Sequence, residues 1–250
     1  MARQKLGQHF LIRESFLNRI AAAACPQPQD LAIEIGPGRG ALTRKLLERA
    51  RRVIAIEIDP FLAAHLRSRF AGDDRLEVVE ADVLATDLTQ WGRAPVAGNL
   101  PYYITSPILD RVLAAPPPRA VFLVQKEVAD RLCARPGSRD YGYLTVRTAL
   151  AASARTLFDV PPAAFHPPPR VDSAVVLLEP HAPPAGLTDP PAFLRFLAQC
   201  FRYKRKTLRN NLAGLYGKSL LATLPECSQR AEQLSLDDLL RIWLRLARHP

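Results

Sequence analysis

Between residues 31 and 124, short apolar runs alternate with segments whose apolar positions recur at helical spacing. The strand candidates are 31–35, 52–58, 76–81, 95–98 and 120–124; helices are expected over about 41–49, 60–70 and 106–114. Pro60 suits a first helical position, where its missing N–H costs nothing. The run 120–124 is almost unbroken in apolar character, as suits a sheet covered on both faces. The alternation predicts a doubly wound, mostly parallel α/β sheet. Two later stretches, 155–160 and 173–178, are candidates for added edge strands, and the proline-rich stretch between them can close a hairpin.

Five of the 23 prolines fall between Pro180 and Pro191, which reads as a linker. Beyond it the pattern is helical only. Phe193, Phe196, Leu197 and Cys200 share one face, and Leu239, Leu240, Trp243 and Leu244 share another. The expected division is an α/β domain over 1–182 and a small all-helical domain over 183–250.

Charge adds a partner to this picture. The 250 residues carry 34 Lys and Arg against 24 Asp and Glu, a net +10, and from residue 181 onward the tally is eleven against five. Such a balance points to a polyanion, either nucleic acid or an anionic membrane surface. No apolar run is long enough to span a bilayer. The first residues lack the apolar core and small-residue cleavage pattern of a secretory signal. Cys25, Cys133, Cys200 and Cys227 match neither a zinc spacing nor a disulfide framework, so no metal site is expected and a reducing cytoplasm is.

The stretch Ile33-Glu34-Ile35-Gly36-Pro37-Gly38-Arg39-Gly40 follows a strand and opens a helix. Glycines there let the backbone turn sharply and approach a ligand. Glu57, about 20 residues on, ends the second strand, where a carboxylate can accept from both hydroxyls of a ribose. The same spacing satisfies a dinucleotide fingerprint, so the turn alone does not choose a cofactor. Asp82, at the end of the third strand, can bind an exocyclic adenine amine or cap the chain that follows it.

Gly98-Asn99-Leu100-Pro101-Tyr102-Tyr103 comes after the fourth strand, at the usual ligand edge of such a sheet. An aromatic amine is a poor nucleophile because its lone pair is delocalised into the ring. A side-chain amide oxygen and a backbone carbonyl, both accepting from the amine, can hold it as it pyramidalises and favour the positive charge that develops. An adjacent aromatic ring can stack on the base. No strong general base is required, and the rest is alignment of nitrogen, methyl and sulfur.

Asn99-Leu100-Pro101-Tyr102 resembles the Asn/Asp-Pro-Pro-Tyr-type motif of amino-group methyltransferases. Together with Leu6 to Leu11, Glu34 to Gly38, Glu57-Ile58-Asp59, Asp82-Val83, Phe165 to Ser173 and Lys204 to Leu212, the chain resembles the ribosomal RNA adenine N6,N6-dimethyltransferases, in the family's own order and over nearly the whole length. The resemblance implies a Rossmann-like class I methyltransferase fold using S-adenosylmethionine. It implies a cofactor site of His9, Leu11, Gly36, Gly38, Glu57, Asp82 and Asn99. It implies that Asn99 and the Leu100 carbonyl receive the target N6, with Tyr102 stacked on one face of the base and Phe165 closing the other. Many members carry Asn where this chain has His9; His can donate a similar hydrogen bond.

The run from Arg202 to Leu212 mixes cations with amide groups, and on a helix it would form a phosphate-binding stripe of Lys204, Arg205, Lys206 and Arg209. Placed on a helix, Lys204, Arg205 and Lys206 would point in different directions, so not all three need serve RNA. The run resembles the small-subunit branch of the family more closely than the large-subunit branch. The expected function is dimethylation of two adjacent adenosines in a 3′-terminal hairpin loop of small-subunit (16S) rRNA, by a monomer acting on an assembling subunit. A nicotinamide-dependent oxidoreductase and a catalytically inactive RNA-binding assembly factor are the alternatives.

Overall fold

The computed structural model describes residues 8–247; Leu6 and Gly7 of the N-terminal motif lie outside the described residues. The strands are β1 (Phe10–Leu11), β2 (Gln29–Ile35), β3 (Ala50–Glu57), β4 (Leu76–Glu80), β5 (Val96–Asn99), β6 (Ala120–Gln125), β7 (Ala152–Val160), β8 (Phe165–His166) and β9 (Ser173–Pro180). The helices are α1 (Glu14–Ala24), α2 (Ala41–Leu47), α3 (Pro60–Arg69), α4 (Thr105–Ala114), α5 (Lys126–Leu132), α6 (Tyr143–Ala149), α7 (Pro190–Cys200), α8 (Leu208–Tyr216), α9 (Lys218–Ala222) and α10 (Leu236–Leu246).

Seven strands form one sheet in the order β4-β3-β2-β5-β6-β9-β7, and β1 pairs with β8 in a two-stranded ribbon. The β4, β3, β2, β5 and β6 pairings are parallel, whereas β9 runs antiparallel to β6. This is the expected doubly wound sheet. One detail differs: 173–178 does not lie at an edge but between β6 and β7. Its unbroken burial from Ser173 to Leu178 gives the physical reason, since an edge position would leave part of that surface wet. Pro60 opens α3 as expected, and Asp59 caps it by accepting from the amides of Phe61 and Leu62. Helix α1 has no counterpart in the expected elements. Its buried face of Leu17, Ile20, Ala21 and Ala24 packs with Leu42, Leu46, Val121 and Leu123 in one core.

The chain divides into two compact units, Met1–Ala129 with Ala154–Pro180, and Asp130–Ser153 with His181–Pro250. The chain thus returns to the second unit near the expected position 183. The stretch 130–153, expected within the α/β domain, belongs instead to the helical unit. The cause is apolar: Tyr141, Val146 and Leu150 are buried in one core with Phe193, Leu197, Leu239 and Trp243. Helix α10 begins with a reciprocal cap, Ser235 accepting from the Asp238 amide while the Asp238 carboxylate accepts from the Ser235 amide.

Candidate active site

The strand order reverses between β2 and β5. The crevice beyond the carboxyl ends of such strands is where open α/β sheets bind ligands. A cavity lies there, and its wall includes His9, Leu11, Gly36, Gly38, Glu57, Asp82, Asn99, Leu100 and Tyr102. Residues predicted from separate stretches of sequence therefore converge on one concavity.

Steric crowding explains the glycines. Gly36, Gly38 and Gly40 have φ of +66°, +57° and +80°, a left-handed backbone that other residues rarely adopt. A Cβ at Gly38 would also lie 2.9 Å from the Phe10 ring, because β1 lays that ring on the turn. The Arg39 guanidinium sits 4.8 Å from the centre of the same ring. At Gly98 a Cβ would overlap the Ile35 carbonyl oxygen, so the missing side chain lets β5 close on the end of β2.

Glu57 is buried at the end of β3. Its Oε2 accepts from the Gly38 amide and its Oε1 from the Asp59 amide, both at 3.0 Å. Burial pushes its pKa up, and the two amides oppose that shift. Each carboxylate oxygen retains capacity to accept from a ribose hydroxyl. Asp82 does two things. Its Oδ1 accepts from the Leu84 amide at 2.8 Å and turns the chain, while Oδ2 has no protein partner among the described residues and is available to an adenine amine. The glycine turn, Glu57 and Asp82 thus fit a nucleoside-bearing cofactor.

Asn99 ends β5, in register with Leu123 of β6. Its Nδ2 donates to the His9 carbonyl at 2.9 Å, which leaves Oδ1 as the acceptor for a substrate amine. The Leu100 amide donates to the Leu123 carbonyl at 3.1 Å and fixes that peptide. The Leu100 carbonyl has no hydrogen-bond partner among the described residues. The Tyr102 hydroxyl and Ser173 Oγ lie 2.6 Å apart in a hydrogen bond. Burial raises the Tyr102 pKa and the Ser173 bond opposes it. The His9 ring stacks on that of Tyr102, with centres 5.9 Å apart and planes 28° apart. His9 Nδ1 lies 2.8 Å from the Pro167 carbonyl, which can only accept, so Nδ1 carries the hydrogen.

Phe165 departs from expectation. It is 3% exposed, pairs with Leu11 across the β1–β8 ribbon and packs in the core with Leu17 and Leu177; it does not line the cavity. Strand alternation turns Phe165 inward and His166 outward. The ring beside Tyr102 is that of His9. Glu34, which has no expected role, is a cavity-lining carboxyl that is 1% exposed. Burial raises its pKa to about 8, the Thr43 hydroxyl lowers it and the Glu57 charge raises it further. Its Oε2 lacks a hydrogen-bond partner. A carboxylate inside a strand ending at a glycine turn was the available signal. Ser173 closes the Phe165 to Ser173 motif, yet nothing in the sequence showed that it would hold Tyr102.

The basic run is not helical as expected. Residues 202–207 form a turn, and α8 starts only at Leu208, capped by Thr207. The cause is local: the buried Asn211 amide bonds to backbone groups of Cys200 and Tyr203 and holds the chain in the turn. Lys204 Nζ is tied to the Arg139 carbonyl at 2.5 Å and lies 3.9 Å from Glu232. Arg205 and Lys206 are exposed. Arg209 lies in α8 with its Nε buried and lacking a partner. Among the described residues, no group of three or more His, Cys, Asp or Glu side chains could hold a metal ion, and no helix is long and apolar enough to cross a membrane.

Known proteins place this geometry. The family described as ribosomal RNA adenine dimethylase matches residues 1–248. The chain belongs to that family. It is 45% identical to the ribosomal RNA small subunit methyltransferase A of Acidobacterium capsulatum, over 97% of this chain and 90% of that protein. It is 43% identical to the protein of the same name from Thermosynechococcus vestitus, over 98% and 96%. Among solved structures, a dimethyladenosine transferase from Plasmodium falciparum superposes with a TM-score of 0.82 at 29% identity, covering 96% of this chain and 98% of that one. The 23S rRNA methyltransferase ErmE gives 0.71 at 32% identity, covering 95% and 99%. Family membership makes the protein an S-adenosylmethionine-dependent rRNA adenine methyltransferase, and removes the nicotinamide reading of the glycine turn.

Proposed function

We propose that the protein transfers methyl groups from S-adenosylmethionine to N6 of two adjacent adenosines in a 3′-terminal hairpin loop of small-subunit rRNA, giving N6,N6-dimethyladenosine. It does so as a cytoplasmic monomer acting on an assembling small subunit. The observation that carries this reading is the hydrogen bond from Asn99 to the His9 carbonyl. It leaves one amide oxygen and one free main-chain carbonyl, that of Leu100, as paired acceptors beside the glycine turn.

S-adenosylmethionine, when bound, supplies a methyl group on a positively charged sulfur. Glu57 accepts from the ribose hydroxyls, Asp82 from the adenine amine, and His9, Leu11, Gly36 and Gly38 complete the cradle. Asn99 Oδ1 and the Leu100 carbonyl accept from the substrate N6 and stabilise the positive charge that grows on it. Tyr102, held by Ser173, offers its ring to the base, which must leave its stacked neighbours to enter. No residue has to act as a strong base, because the charged nitrogen gives its proton readily to solvent. Arg205 and Lys206 contact phosphates from the helical unit, with Lys204 and Arg209 shaping the turn and its support.

The test is mass spectrometry of rRNA after undermethylated small subunits are incubated with the protein and S-adenosylmethionine. The expected product is dimethyladenosine at two neighbouring positions near the 3′ end. Methylation of large-subunit RNA instead, or of a base other than adenine, overturns the reading.

A further inference from the structure

The turn that ends α7 carries a feature that phosphate binding does not require. Arg202, Tyr203, Lys204, Arg205 and Lys206 are all exposed, and Tyr203 is the one aromatic in the run. Tyr203 is 54% exposed, and among the described residues of the helical unit no other Phe, Trp or Tyr is as exposed. An isolated exposed tyrosine would mean little. This one is held out by its own backbone. The Tyr203 amide donates to Asn211 Oδ1 at 3.2 Å, and its carbonyl accepts from Asn211 Nδ2 at 3.3 Å and from the Lys206 amide at 3.0 Å. Asn211 is itself 3% exposed and anchored to the Cys200 carbonyl at 2.8 Å. Lys204 ties the far side of the turn to the Arg139 carbonyl. A backbone fixed at so many points sets the direction in which the side chain leaves the turn, and there the ring lies in solvent.

The ring's neighbours are cationic. The Arg202 guanidinium lies 5.3 Å from its centre. Among the described residues, Arg202, Arg205 and Lys206 have no carboxylate partner, so their charge is not neutralised within the molecule. An exposed ring on a fixed backbone, among unneutralised cations, matches what single-stranded nucleic acid binds, since bases stack on aromatic faces while the cations hold the backbone.

We propose that this turn is a stacking clamp for one unpaired RNA base, with Tyr203 taking the face of the base and Arg205 and Lys206 taking adjacent phosphates. Asn211 is the positioning residue that presents the ring. The inference rests on the reading of this turn as an RNA contact, and the two are separable. Stacking releases no counterions, so it contributes affinity without contributing to salt dependence, whereas each phosphate contact contributes to both.

The experiment measures the affinity of the full-length protein for undermethylated small ribosomal subunits over a series of salt concentrations. Tyr203→Ala is expected to weaken binding about tenfold to a hundredfold at each salt concentration with an unchanged logarithmic salt slope, and Tyr203→Phe and Tyr203→Trp to stay near wild type. The double variant Arg205→Ala/Lys206→Ala is expected to weaken binding and flatten the slope. If the double variant weakens binding and Tyr203→Ala does not, the stack is overturned and the phosphate contact stands. If Tyr203→Phe is as weak as Tyr203→Ala, the hydroxyl and not the ring makes the contact, and the stack is overturned. If neither the double variant nor Tyr203→Ala changes affinity or slope, the turn does not meet RNA and both readings fall.

Discussion

The two units divide charge and chemistry unequally. The sheet unit carries nineteen Lys and Arg against seventeen Asp and Glu, whereas the helical unit carries fifteen against seven, so a little over a third of the residues hold eight of the ten net positive charges. Many arginines of the sheet unit are paired, as in Arg44 with Glu14, Arg52 with Glu77, Arg67 with Glu80 and Arg75 with Asp73. Exposed pairs of this kind add little stability, but they cancel the field that would attract a polyanion. The sheet unit instead concentrates polar groups at one edge, where buried Glu34 and Glu57 and half-buried Asn99 line one cavity. Two selection problems are thereby separated: a nearly neutral unit that must shape a cavity for a cofactor and one amine, and a basic unit that can hold phosphates.

The largest expected effect tests where the chemical edge of the sheet unit stops. Phe165 belongs to its core, so Phe165→Ala should cost about 3–5 kcal/mol of stability through the cavity it leaves. Thermal or denaturant unfolding reads this. A variant as stable as wild type but slow in methyl transfer would return Phe165 to the base pocket. Next comes Asn99→Ala, expected to lower single-turnover methyl transfer about 10²- to 10³-fold with affinity for the small subunit unchanged. A rate within a few-fold of wild type would remove Asn99 from the amine site. Glu57→Ala should weaken S-adenosylmethionine binding by about 1–3 kcal/mol, by leaving the ribose hydroxyls and the Gly38 amide without their acceptor; calorimetric titration gives the value.

A pH dependence of stability, separate from binding and rate, is also expected. The folded-state pKa of Glu34 is raised to about 8 by burial, against an ordinary value of 4.5. The folded protein therefore binds more protons than the unfolded chain between these values, and this group's contribution to stability is full below about 4.5 and is lost as pH rises through about 8. Glu34→Gln should flatten the decline in melting temperature between pH 5 and 8. Parallel declines in the two proteins would show that Glu34 does not govern it.

The parts of this architecture that repeat were readable from sequence, and the parts that depend on distant contacts were not. The parallel strands announce themselves as apolar runs, Pro60 marks the start of α3, and Gly36, Gly38, Glu57, Asp82 and Asn99 lie at strand ends that topology brings together. The place of 130–153 is not legible because its apolar face meets partners more than forty residues away, which local periodicity does not register. The composition of the basic run permits a helix. What breaks it is Asn211, whose side-chain amide competes for backbone groups of Cys200 and Tyr203. The core position of Phe165 is hidden from sequence for a related reason: a two-residue strand decides which way its ring points, and its partner, Leu11, lies at the other end of the sheet unit's sequence.

The division of labour is tested most directly by single-turnover methylation of undermethylated small subunits with Arg205→Ala/Lys206→Ala, at enzyme concentrations that span its dissociation constant. The expected result is weakened binding, a lower salt slope by about 0.7 to 0.9 for each lost contact, and a saturating rate equal to wild type. A saturating rate that falls while binding is unchanged would contradict it, because the cations of the helical unit would then be acting on the chemistry itself.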